Sequence, residues 1–67
     1  MITTNTYIKH LLNQEDVNQL FAHCIEYDEI ETIYIQDIIQ NKKWYTKVIV
    51  RCEKSFIPEI ECILNCY

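Results

Sequence analysis

The sequence predicts a small α+β domain with the element order β-α-β-β-α, in which an antiparallel three-stranded sheet carries two helices on one face. Two strand-like runs joined by a short polar break indicate a hairpin, and apolar residues at helical spacing before and after it indicate two helices. At 67 residues the chain has room for a single domain, residues 1–67.

The first element is the ambiguous one, because residues 3–12 fit two patterns. Their threonines, together with Tyr7 and Ile8, favour a strand by propensity. The spacing of Tyr7, Ile8, Leu11 and Leu12 fits one face of a helix instead. We predict a strand and keep a short helix as the alternative.

The next element is an amphipathic helix over residues 14–27. Asn13 is a good N-cap, and Glu15 and Asp16 place negative charge where the helix dipole is positive. Apolar side chains recur at the spacing of one helical face. They are Val17, Leu20, Phe21, Cys24 and Ile25.

The hairpin comprises residues 31–40 and 44–52, with Asn41, Lys42 and Lys43 in the turn. Successive side chains of a strand point to opposite faces of the sheet. In the second strand the face with the better core pattern is Trp44, Thr46, Val48, Val50 and Cys52. The opposite face is Tyr45, Lys47, Ile49 and Arg51.

The last element is a second helix, which Ser55 would cap and in which Pro58 lies in the first turn, where a missing N–H is harmless. Cys62 and Cys66 lie one turn apart beside its apolar stripe. The stripe consists of Phe56, Ile60, Ile63, Leu64 and Tyr67.

This element order resembles a ferredoxin-like unit that stops before its last strand. The resemblance rests on the order of elements and implies an unpaired sheet edge beside the first strand. Exposed edges invite pairing with another chain, so we expect a homo-oligomer, with a dimer the simplest form.

Composition excludes several function classes. The net charge of −4 is unlike that of a general nucleic-acid coat, and the absence of glycine excludes a Gly-rich phosphate cradle. The start of the chain has no signal-peptide pattern, and no apolar run is long enough to span a membrane. We expect a cytoplasmic protein, in the host cytoplasm if viral, with no membrane partner and no catalytic activity.

The cysteines are expected to be reduced and mostly structural. Cys62 and Cys66 lie close enough on one helix to share a metal, with Cys24, Cys52 or a histidine as further zinc ligands. The spacing lacks a C-x-x-C pair, and Cys24 and Cys52 fit the core stripes. We therefore expect no metal and no cofactor, and if a metal does bind, Cys62 and Cys66 are its ligands.

Two contact surfaces follow from the pattern. The first is the uncovered sheet face, where Tyr7 and Lys9 of the first strand would join the hairpin residues to make a basic, aromatic surface. Its residues are Tyr34, Tyr45, Lys47, Ile49 and Arg51. The second is the acidic turn of Glu26, Asp28 and Glu29, which continues to Glu31.

The short chain, its Ile/Asn/Lys-rich usage and its lack of a catalytic motif resemble the accessory proteins of bacteriophages and mobile elements. That resemblance implies a small protein that inhibits a host protein, such as a defence enzyme, by occupying its surface. Two alternatives stay open. One is a single-stranded nucleic-acid-binding module that uses the Tyr/Lys/Arg sheet face. The other is an oligomeric sponge for a small ligand or nucleotide.

Overall fold

In the computed structural model, which describes all 67 residues, three antiparallel strands form one sheet in the order β1-β3-β2. The predicted order β-α-β-β-α is confirmed, and both helices pack on the same side of the sheet. The elements are β1 (Ile2–His10), α1 (Gln14–Cys24), β2 (Ile30–Gln40), β3 (Lys43–Glu53), a 3₁₀ turn (Lys54–Phe56) and α2 (Ile57–Asn65). Neither helix has the length and apolar character that crossing a bilayer requires.

The first segment is a strand, as predicted, because all of β1 pairs with β3. The register is unbroken from Ile2 opposite Glu53 to His10 opposite Tyr45. The leucines that suggested a helix follow the strand. Leu12 is buried, and its N–H donates to the hydroxyl of Thr46 at 2.8 Å, which satisfies both groups inside the core.

Helix α1 begins as predicted but ends earlier. The side chain of Asn13 accepts a hydrogen bond from the N–H of Asp16 at 2.7 Å, which caps the helix. The helix stops at Cys24 instead of Tyr27, because Tyr27 N–H bonds back to the Cys24 carbonyl in a tighter turn. The Tyr27 ring then packs on Phe56, with ring centroids 4.9 Å apart.

Helix α2 differs from prediction at its start. Ser55 lies inside the 3₁₀ turn and does not cap the helix, whose N-cap is Phe56 with no side-chain hydrogen bond. The turn carries Phe56 into the core, and the helix then begins at Ile57 with Pro58 in its first turn, as expected. The predicted stripe is confirmed: Phe56, Ile60, Ile63 and Leu64 are buried and Tyr67 packs against them.

The core lies between β3 and the two helices. The predicted inward face of β3 is confirmed for Thr46, Val48, Val50 and Cys52, all of which are buried. Trp44 is the exception, at 55% exposed. A helix of this length covers about 16 Å, whereas an eleven-residue strand extends over about 36 Å, so the end of the hairpin projects beyond the helices.

Candidate functional site

The two helices cover one side of the sheet and leave the other side uncovered by the chain. Because residues opposite each other in an antiparallel pair share a face, the register defines this second surface, which we call the open face. It comprises Ile2, Thr4, Thr6, Ile8 and His10 of β1, Lys43, Tyr45, Lys47, Ile49, Arg51 and Glu53 of β3, and Thr32, Tyr34, Gln36, Ile38 and Gln40 of β2.

The central part of the open face carries two apolar and aromatic pairs, with Lys47 between them. Ile49 lies opposite Tyr34, and Tyr45 lies opposite Ile38 on the neighbouring strand. Tyr34 is 60% exposed and Ile8 is 47% exposed. The solvated face of an antiparallel sheet is usually polar, so apolar side chains gathered here exceed what solvation alone explains.

The positive charge of the open face is partly neutralised. Nε of Arg51 donates to Oε1 of Glu31 at 2.9 Å, with both side chains about half exposed. Glu31 reaches this position because the β2–β3 register shifts between Ile30 and Thr32. Lys47 is half-buried between neighbouring strands and forms no salt bridge. One unpaired cation therefore remains in the middle of the surface.

The prediction that Tyr7 and Lys9 share this surface is wrong. Tyr7 lies opposite Val48 and Lys9 lies opposite Thr46, so both side chains are on the helix side. Burial, followed by the negative charges of Glu61 and Cys52, raises the pKa of Tyr7 above its ordinary value. Because Lys9 lies on the helix side, the open face is less basic than the sequence predicts.

Ile8, His10 and Ile38 are among the residues of the open face that sequence reasoning missed. Ile8 and His10 occupy the positions that had been given to Tyr7 and Lys9, because Tyr7 and Ile8 are both good strand residues and the alternation there is weak. Ile38 could have been found by continuing the two-residue period from Tyr34 through Gln36.

The acidic turn is a separate surface. Glu26, Asp28 and Glu29 are exposed in the connection between α1 and β2, at the end of the sheet away from the hairpin turn. The Glu29 carbonyl accepts a hydrogen bond from Glu53 N–H at 3.0 Å, which ties this turn to the end of β3. Only Glu31 of the acidic run contacts the open face, through Arg51.

The structure does not bring the four cysteines together. Cys24 and Cys52 are buried in the core, and Cys62 and Cys66 are exposed on α2. No three His, Cys, Asp or Glu side chains are grouped closely enough to hold a metal ion. Burial raises the pKa of Cys24 to about 11, so this thiol stays protonated near neutrality.

A shallow groove runs beside the β1 edge of the sheet. It has a volume of about 510 Å³ and lies between residues 6–9 of β1 and one side of α2. Its α2 side consists of Glu61, Leu64 and Asn65.

Comparison of the chain with protein-family models, curated proteins and solved structures finds no match. Functional inference for this protein therefore depends on its surfaces. The open face presents apolar groups and the β1 edge presents backbone groups to another molecule, and Phe21, Ile25, Ile39 and Trp44 are exposed apolar side chains outside the open face.

Proposed function

We propose that this chain is a small non-catalytic binding protein that docks its open face on the surface of a larger protein. The observation that carries the proposal is the exposed apolar and aromatic centre of a sheet face that no helix covers. Tyr34 lies beside Ile49 there, and Tyr45 lies beside Ile38. Aromatic residues with an apolar surround and a polar rim are the usual composition of protein–protein contact centres.

The charges of the open face support a protein partner over a nucleic acid. Binding to a phosphate backbone depends on several unpaired cations along the path of the strand. On this face Arg51 is already paired with Glu31, and Lys9 lies on the opposite side of the sheet. Lys47 in the middle of the face and Lys43 at its hairpin end remain unpaired, in a chain whose net charge is −4.

The role that fits such a surface is inhibition by occupation. The chain is small, and its open face is an array of side chains on paired strands, whose fixed backbone reduces the entropy lost on docking. We place it among the accessory proteins of bacteriophages or mobile elements that act in the host cytoplasm on a host protein, such as a defence enzyme. The acidic turn of Glu26, Asp28 and Glu29 is a second contact in this proposal.

The test compares two aromatic residues of similar exposure on opposite faces. Tyr34 is 60% exposed on the open face, and Trp44 is 55% exposed on the other side of the hairpin. The tagged protein and its Tyr34→Ala and Trp44→Ala variants are each expressed in the natural host cell and purified. We expect one host protein to be retained by the wild type and by Trp44→Ala, and to be lost with Tyr34→Ala.

Direct binding by the purified host protein then gives the magnitude. A central aromatic anchor should cost at least about 2 kcal/mol, or roughly thirtyfold in Kd, when truncated. Equal loss in both variants would place the contact elsewhere. Binding to single-stranded oligonucleotides that weakens steeply with salt and is abolished by Lys47→Glu would replace the protein partner with a nucleic acid.

A further inference from the structure

The two edges of the sheet differ in how well they are protected against pairing. β2 is interrupted by the register shift between Ile30 and Thr32 and carries the carboxylates of Glu31 and Asp37. β1 has an unbroken register over all its residues, contains no proline, and carries Lys9 as its single charged side chain apart from His10. Bulges and charges are the common means of blocking an edge, and β1 has almost none of them.

The hydrogen bonds show which backbone groups of β1 are free. Lys54 N–H donates to the Met1 carbonyl at 2.8 Å, and hydrogen-bonded pairs alternate along an antiparallel ladder. Thr3, Asn5, Tyr7 and Lys9 therefore use their backbone groups on β3. The residues whose N–H and C=O point outward are Ile2, Thr4, Thr6, Ile8 and His10.

We propose that β1 pairs antiparallel with β1 of a second copy of this chain, with Thr6 of one copy opposite Thr6 of the other. Thr6 is the middle residue of Ile2–His10 and is one of the outward-facing residues. In this register Thr4 meets Ile8 of the second copy, and Ile2 meets His10. Every outward N–H and C=O of β1 is then hydrogen-bonded to β1 of the second copy, and a two-fold axis relates the two strands.

The side chains fit the same register. On the helix side, Tyr7 would lie opposite Asn5 of the second copy, and Lys9 opposite Thr3, so no like charges face each other. The groove of each copy, beside residues 6–9, then receives the small polar side chains Thr3 and Asn5, which are joined by a 3.1 Å hydrogen bond. Glu61 in the groove wall complements the charge of Lys9.

The assembly would be a continuous six-stranded sheet. A two-fold axis perpendicular to the sheet keeps all four helices on one side and joins the two open faces on the other. The inference is independent of the proposed function, since the open face remains uncovered in both the monomer and the dimer.

The first experiment uses backbone substitution at the centre of the seam. Thr6→Pro removes an outward N–H that β3 does not use, and proline is tolerated on strand edges. Thr6→Val retains the N–H and the β-branched side chain. We expect sedimentation velocity to show a dimer for the wild type and Thr6→Val, and a folded monomer for Thr6→Pro.

Amide hydrogen exchange of the wild type tests the same point without a substitution. In the dimer the amides of Thr4, Thr6 and Ile8 are protected as well as those of Asn5 and Tyr7. On dilution to the monomer, hydrogen exchange becomes fast only at the amides of Thr4, Thr6 and Ile8. A wild type that stays monomeric over the accessible concentration range, or a dimer with unprotected Thr4, Thr6 and Ile8 amides, overturns the proposal.

The register itself is tested by cross-linking. Hydrogen-bonded pairs have Cα atoms about 5.5 Å apart, a separation that a disulfide can bridge. In a background with Cys62→Ser and Cys66→Ser, mild oxidation should convert Thr6→Cys to a covalent dimer. Thr4→Cys, which would lie opposite Ile8, should remain uncross-linked, and the reverse result would exclude this register.

Discussion

On β3, neighbouring residues alternate between two environments. Val48 and Val50 face the helices and are completely buried, whereas Ile49 between them is half-buried on the open face. Both faces of the strand carry apolar side chains, and they differ in whether the chain itself covers them. The helix-side residues are explained by folding. The residues of the open face are not covered by the chain, and their composition is what supports the proposed contact surface.

The largest effect should separate two isoleucines on opposite sides of the sheet. Ile60 is 1% exposed in the core, so Ile60→Ala should lower the free energy of unfolding by about 2–5 kcal/mol. Ile49→Ala on the open face should lower the free energy of unfolding by less than about 1.5 kcal/mol, because truncating a half-buried side chain leaves little enclosed cavity.

Urea unfolding followed by circular dichroism measures both changes. A domain of this size has a small net stability, so Ile60→Ala is expected to be partly unfolded even without denaturant. If Ile49→Ala were equally destabilising, the open face would be packed against something in the isolated chain, and the contrast between the faces would be lost.

A second, smaller effect concerns alkaline pH and the buried thiol of Cys24. Burial raises its pKa from an ordinary value of about 9 to about 11. The pKa of this thiol is higher in the folded state than in the unfolded state. The stabilisation it contributes is therefore fully present below about pH 9 and is lost as the pH rises to about 11. Two pKa units correspond to about 2.7 kcal/mol of folding free energy.

Unfolding free energies measured at several pH values between 8 and 11 test this, with Cys24→Ala as the control. The pKa values of Cys52 and Tyr7 are also raised by burial, so the variant should keep a weaker alkaline loss. An identical pH dependence in the wild type and in Cys24→Ala would show that this thiol is not the group responsible.

The smallest effect is expected for the ion pair of the open face. Arg51 and Glu31 are each about half exposed, and exposed pairs contribute about 0–1 kcal/mol. A double-mutant cycle with Arg51→Ala and Glu31→Ala should give a coupling in that range, which decreases at high salt. A larger coupling that salt does not change would indicate a desolvated pair, and hence a covered surface.

Much of the fold could be predicted because local patterns and burial agree. Asn13 as a cap, the alternation from Thr46 to Cys52 and the stripe of α2 each follow from one strong period. The predictions failed where two sequence patterns overlap, and where the lengths of the helices and strands determine which side chains are covered, as at Trp44. Tyr7 and Ile8 are both suited to a strand, so the face that each one occupies depends on the register of β1 with β3, which no local signal gives.

The same limit applies to the candidate site. Tyr45, Lys47, Ile49 and Arg51 were placed on one face because the β3 alternation is clear. The pairing of Arg51 with Glu31 depends on a register shift between Ile30 and Thr32, and no pattern in the sequence predicts that shift. The charge of this face predicted from the sequence was therefore too positive, and a protein partner was already the hypothesis that the sequence favoured.

The hairpin turn gives the molecule its polarity. Asn41 and Lys42 have φ angles of 51° and 65°, the backbone of a tight two-residue turn in which neither residue is glycine. That fixed connection locks β2 to β3, and a slip by one position would bring Tyr34 under the helices and expel Ile33 and Ile35 into water. Two residues of the hairpin turn thus help to determine which side chains of β2 face solvent.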